Sequence, residues 1–130
     1  MGIQHEILIR SDHVRVLCEG AYVLIDFLQV IQTALETATR AHLTKILFDC
    51  RKLQGQLTIT QRYDLGAQGA ALYTKTLESG CILMVMLGNE PLIDPRRFAE
   101  VVANNRGVPV KATTDLQEAL NWLQLQSGEL

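Results

Sequence analysis

Two short β-type runs open the chain. Glu6 to Arg10 is a brief apolar run, and His13 to Glu19 then alternates, with Val14, Val16 and Cys18 on one face and Arg15, Leu17 and Glu19 on the other. Ser11-Asp12 between them suits a tight connection, so the spacing predicts a hairpin that Gly20 closes. A helical pattern follows: Leu24, Phe27, Leu28, Ile31, Ala34, Leu35 and Ala38 recur at spacings of three and four, a stripe wide enough to lie on a sheet. Ile25 and Val30 fall off that stripe and point to a contact on a second face.

The run 45–50, Lys-Ile-Leu-Phe-Asp-Cys, is apolar on both faces and reads as a central strand of a parallel sheet, followed by a polar loop from Arg51 to Gln56. Thr58 and Gln61 have capping-box spacing, which starts a helix that runs to about Leu77, with Gly80 just beyond its end. Cys81 to Leu87 is the strongest strand signal, again buried on both faces. Asp94-Pro95 predicts an N-cap and a helix starting at Pro95 that buries Phe98, Val101 and Val102 and stops near Asn105-Arg106-Gly107. A last strand covers 108–113, where Pro109 marks a sheet edge. The closing helix is capped by Asp115 and buries Leu116, Ala119, Leu120 and Leu123. The order β-β-α-β-α-β-α-β-α predicts an α/β fold with a mixed, mostly parallel five-stranded sheet and an N-terminal antiparallel hairpin.

Composition narrows the function classes. With 130 residues, 48% of them apolar and 20% charged, the chain is expected to form one domain spanning 1–130 and no disordered linker. A formal net charge of −2 lacks the basic footprint of a nucleic-acid binder. The longest apolar run, Cys81 to Leu87, falls far short of the roughly 18 residues a membrane-spanning helix needs. The opening residues show no secretory signal, and Cys18, Cys50 and Cys81 are odd in number and widely spaced. These features make a cytoplasmic protein the expectation, with each thiol acting as a small hydrophobe.

Enzyme signatures are missing. The sequence contains no G-x-G-x-x-G, no phosphate-binding Walker loop and no G-x-S-x-G elbow. His5, His13 and His42 are scattered at strand and helix ends, where surface or cap positions explain them better than a triad or a metal site. No catalytic residue, metal site or cofactor is therefore expected. Ligands of open α/β sheets bind beyond the carboxyl ends of the strands, which makes Asp49, Arg51, Lys52, Asn89, Arg96 and Arg97 candidates for an anion or ligand site. Gly66, Gly69 and Ala70 make one helix unusually smooth, and a self-association face there, hence a homodimer, is a second candidate.

The stretch 45–55, with Asp94-Pro95-Arg96-Arg97-Phe98, Asn105-Arg106-Gly107 and Glu118-Ala119-Leu120-Asn121-Trp122-Leu123, resembles the SpoIIAA-like family of small bacterial domains, related to the STAS and SEC14 folds. The resemblance implies a regulatory module that binds a protein partner. Anti-sigma antagonists of that kind are phosphorylated on a serine at the start of the helix after the third strand. The matching region here reads Gln56-Leu57-Thr58-Ile59-Thr60, which places the candidate phosphorylation and partner site at Thr58 and Thr60. The SEC14 kinship implies an alternative, a carrier or sensor of a small apolar ligand or lipid, to which the off-stripe residues Ile25, Val30, Leu92 and Ile93 would contribute.

Overall fold

Five strands pair in chain order, β1 (Ile3–Ile9), β2 (Val14–Ala21), β3 (Lys45–Gln54), β4 (Leu83–Leu87) and β5 (Val110–Thr113). The computed structural model describes residues 2–130. β1 and β2 form the antiparallel hairpin, and every later pairing is parallel. The two strands apolar on both faces lie side by side in the same direction, Ile46 opposite Met84 and Phe48 opposite Met86. Helices supply the crossovers: α1 (Leu24–Arg40), α2 (Ile59–Thr76), α3 (Phe98–Asn104) and α4 (Leu116–Leu123). A single 3-10 turn, Ser127–Glu129, follows α4.

The sheet has a thick side and a thin side. α1 lies on β1, β2 and β3, packs against α2, and α2 in turn packs against α3. Their core joins Val14, Val16, Phe48 and Cys50 of the sheet to Phe27, Ala34 and Leu35 of α1. Val30, off the main stripe, is buried here too, whereas Ile25 is exposed. On the other side α4 stands alone over β4 and β5, where Leu120 and Leu123 meet Leu47, Val85 and Leu87. Each such leucine contributes roughly 1.5–3 kcal/mol by leaving water. Among the described residues no helix covers the same side of β1 and β2, so Gln4, Glu6 and Glu19 are exposed there.

Three local expectations are corrected. β3 does not stop at Cys50 but continues to Gln54, because Lys52, Leu53 and Gln54 pair with Glu19, Gly20 and Ala21. α3 begins at Phe98 rather than Pro95: Arg97 takes a left-handed φ of 52°, which breaks the turn, while the Asp94 carboxylate accepts the Phe98 N–H across it. The shorter helix buries Val102 and Ala103 and leaves Val101 exposed. His13 is not at the surface. It is fully buried, with Nδ1 3.2 Å from Asp12 Oδ1, and Nε2 has no hydrogen-bond partner among the described residues.

Candidate functional site

The extension of β3 contains a bulge. Leu17 is opposite Asp49, but Glu19 is opposite Lys52, so Cys50 and Arg51 together face Cys18. Strict alternation from the buried Cys50 would send Lys52 into the core. The bulge instead keeps Leu53 buried and leaves both Arg51 and Lys52 exposed beside Asp49. These residues line a groove of about 700 Å³ on the uncovered sheet face, with Arg15, Leu17 and Glu19 from β2.

Asp49 sits at the floor of the groove with 8% of its side chain exposed and both oxygens engaged. Oδ1 accepts from Arg51 Nε at 2.9 Å and from the Arg51 backbone N–H at 3.3 Å. Oδ2 accepts from Arg51 Nη2 at 2.7 Å and Arg15 Nη2 at 3.0 Å. Burial pushes this carboxyl up, but the hydrogen bonds from Arg51 and Arg15 outweigh it and hold Asp49 below the usual carboxylate range. The same pairing pushes the Arg51 guanidinium up. A carboxylate held on both oxygens orients two guanidinium groups; it is not a free base. Acidic Glu6, Glu19 and Asp49 offset basic Arg15, Arg51 and Lys52, so the groove is zwitterionic.

Of the other candidates for that site, Asn89 reaches only its backbone, donating from Nδ2 to the Arg51 carbonyl at 3.1 Å without lining the groove. Arg96 and Arg97 do not reach it. Arg96 is exposed with no ion-pair partner among the described residues, and Arg97 donates to the carbonyls of Ala112 at 2.9 Å and Asp94 at 2.6 Å. Arg97 therefore braces β5 rather than facing a ligand.

Thr58 caps α2 as its spacing predicts. Its hydroxyl accepts the Gln61 N–H at 3.1 Å, and its own N–H donates to Gln61 Oε1 at 2.7 Å. Thr58 and Thr60 are both exposed, and between them Ile59 is 76% exposed, with Tyr63 one turn further on at 44%. Arg106 stacks over the Tyr63 ring at 5.4 Å and donates to its hydroxyl at 3.0 Å. Beneath this surface lies Arg62, which the sequence reading passed over. It is buried, donates to the carbonyls of Leu92 at 2.7 Å and Pro91 at 2.8 Å, and ties the β4–α3 loop to α2. A lone arginine in a helix reads as a solvated side chain, and nothing in its spacing distinguishes it.

The smooth stretch of α2 faces inward. Gly66 is buried against α3, where an added Cβ would stand 2.7 Å from the Ala99 carbonyl oxygen, and Ala70 is buried as well. Gly69 borders an apolar cavity of about 70 Å³ between α2, α3 and the sheet, with Phe48, Met84 and Met86 among its walls. Leu92, Ile93, Val30 and Ile25 do not line it. Among the described residues no group of His, Cys, Asp and Glu could hold a metal ion, and no helix is long and apolar enough to cross a membrane.

No family model and no curated protein matches the chain. Solved structures do. An anti-sigma factor antagonist from Mycobacterium paratuberculosis is similar at a TM-score of 0.55 and 14% identity, with 95% of each chain covered. An uncharacterised protein of the DUF3478 family from Shewanella loihica, described as having a SpoIIAA-like fold, is similar at 0.53 and 22% identity, covering 94% of this chain and 93% of that one. The mixed five-stranded sheet with its four helices is thus the SpoIIAA-like fold.

Proposed function

We propose that residues 1–130 form a single regulatory module of the STAS type, non-enzymatic and cytoplasmic, which docks a protein partner on the first turn of α2 and is switched by phosphorylation of Thr58. One observation carries the reading: an accessible hydroxyl at the cap is followed immediately by the exposed apolar pair Ile59 and Tyr63. Exposed apolar side chains grouped beside a polar rim mark protein contacts. The solved anti-sigma factor antagonist of the same fold lends the regulatory class. In the switching step a separate kinase transfers the γ-phosphoryl group of ATP to Thr58. An Oγ–P bond forms, the bond to the ADP oxygen breaks, and the hydroxyl proton passes to the kinase's base. The added charge of about −1.5 to −2 favours the helix N-terminus but sets a dianion beside Ile59, which a partner must desolvate.

A photo-crosslinking residue placed at Ile59 in cells of the native host tests this. One protein species should be trapped from Ile59, none from a control position at the exposed Gln117 on α4, and trapping should fall at least about tenfold in a Thr58→Asp background. Equal trapping from both positions, or none from either, would overturn the reading.

The alternative is a carrier of a small ligand, supported by the apolar cavity. Its volume of about 70 Å³ is less than half of the roughly 150 Å³ that admits benzene in an engineered core. A lipid chain does not fit such a space, and this reading ranks second. Native mass spectrometry of freshly purified protein decides it, a mass above that of the bare chain being the result in its favour.

A further inference from the structure

The two edges of the sheet are finished differently. At β5 the outward backbone groups are occupied by side chains of the segment 97–104. Ala112 donates its N–H to Glu100 Oε1 at 2.6 Å and its carbonyl accepts from Arg97 Nε at 2.9 Å, while the Val110 carbonyl accepts from Asn104 Nδ2 at 3.0 Å. That edge is sealed. At β1 the Gly2 carbonyl and the Arg10 N–H point toward β2, bonding Ala21 and His13. Backbone direction alternates along a strand, so the N–H and C=O groups of Ile3, His5, Ile7 and Ile9 point away from it. The Ile3 N–H reaches Asp26 Oδ2 at 3.2 Å. Those of His5, Ile7 and Ile9 have no partner among the described residues, and Ile9 is 59% exposed.

We propose that this edge pairs with β1 of a second copy, antiparallel about a two-fold axis at Ile7, to form one continuous sheet through two chains. The register follows from the side chains. Centring on His5 would require the Ile3 N–H that Asp26 already holds. Centring on Glu6 would set Glu6 directly against its own symmetry mate, a repulsive pair. Centring on Ile7 uses the open residues His5, Ile7 and Ile9, stacks Ile7 on Ile7, and places Glu6 opposite Leu8. Opposite residues share a face, so Ile9 of each chain lands beside His5 of the other, at a recess between β1 and α1 lined by Ile3, His5 and Val30. An unpaired strand edge of this kind templates strand addition, and a self-complementary register favours a copy of itself over a foreign strand.

Sedimentation of the wild type from about 1 μM to about 1 mM should pass from the 14.5 kDa chain mass to twice it. Ile9→Lys, at an exposed position, and His5→Pro, which removes an outward N–H that β2 does not use, should both remain monomeric with unchanged circular dichroism. The register is read separately by disulfide trapping in a Cys81→Ser background. Ile7→Cys should cross-link to itself, since opposed residues lie about 5.5 Å apart and within disulfide reach, whereas Glu6→Cys should not. A wild type that stays monomeric throughout, a dimer that survives in both edge variants, or cross-linking at Glu6 in place of Ile7 would overturn the proposal. None of these outcomes involves Thr58 or Ile59, so they leave the proposed function to its own test.

Discussion

Two glycines three residues apart on α2 should respond to alanine in opposite directions. A Cβ at Gly66 would lie 2.7 Å from the Ala99 carbonyl oxygen and 2.7 Å from Val102 Cβ. Ordinary carbon contacts fall near 3.5–4.0 Å, so α3 must retreat by about 1 Å. Neither obstacle can rotate aside, one being backbone and the other the root of a β-branched side chain. Overpacking costs about 1–3 kcal/mol, and the firmness of both obstacles puts this site in the upper half of that range. Replacing glycine by alanine inside a helix returns about 1 kcal/mol, which leaves Gly66→Ala destabilised by about 1–2 kcal/mol. At Gly69 no atom of the described residues lies within 4 Å of the added methyl, which enters the cavity wall. The helix term then acts unopposed, and Gly69→Ala should be about 0.5–1 kcal/mol more stable than the wild type. Urea titration followed by circular dichroism measures both, with the slope unchanged if the transition remains two-state. Gly66→Ala as stable as the wild type, or Gly69→Ala less stable, would refute the packing argument.

Thr58→Ala should cost about 1 kcal/mol by removing the capping oxygen, and Thr58→Asp should recover most of it, both read as shifts in the thermal midpoint. Asp49 titrates lower in the folded chain than in the unfolded one. Its contribution is therefore full above about pH 5 and is lost as pH falls through the folded value. The stability gap between wild type and Asp49→Asn should narrow on acidification from about pH 5 toward about pH 2, and a gap constant over that interval would contradict the ion-pair assignment. Arg62→Leu leaves the Leu92 and Pro91 carbonyls without their donors and should cost about 2–4 kcal/mol in urea titration. Arg62→Lys should rescue little of that, because one ammonium does not reproduce a fork that reaches two successive carbonyls.

Periodicity made the element order legible, and the two doubly apolar runs around Ile46 and Met84 were enough to place a parallel pair at the centre. Pro109 correctly marked an edge, since β5 ends the strand order. What stayed hidden were features whose cause lies in another part of the chain. Arg51 to Gln54 is polar enough to read as a loop, and it is strand only because β2 offers partners across a bulge. Asp94-Pro95 carries the marks of a helix start, yet the helix waits for Phe98 because Arg97 turns left-handed and donates to Ala112 and Asp94. At the candidate site the sequence reading had Asp49, Arg51, Lys52 and Asn89 together but lacked Arg15, which sits opposite Leu47 on a neighbouring strand. Gly66 and Ala70 looked like an outward face because small residues serve an internal helix contact as well as an external one.

The uncovered half of the sheet follows from simple widths. Five strands at about 4.8 Å spacing span roughly 20 Å, whereas one helix with its side chains is about 10 Å across. α4 alone can therefore cover β4, β5 and the near face of β3, and the matching face of β1 and β2 carries the polar Gln4, Glu6, Arg15 and Glu19 around the half-buried Leu8 and Leu17. Asp49 lies where that cover ends: Leu47, two residues earlier on the same face, is under α4, and Asp49 is buried enough to need both guanidinium groups. Solvation alone would be met by ordinary alternation along β3. The bulge does more, since it gives up regular pairing and keeps Leu53 in the core while both Arg51 and Lys52 project from one face. Only after this bend does the chain run through Gly55 to the cap at Thr58, so the charged groove and the exposed start of α2 are successive products of one strand that outlasts its neighbour β4.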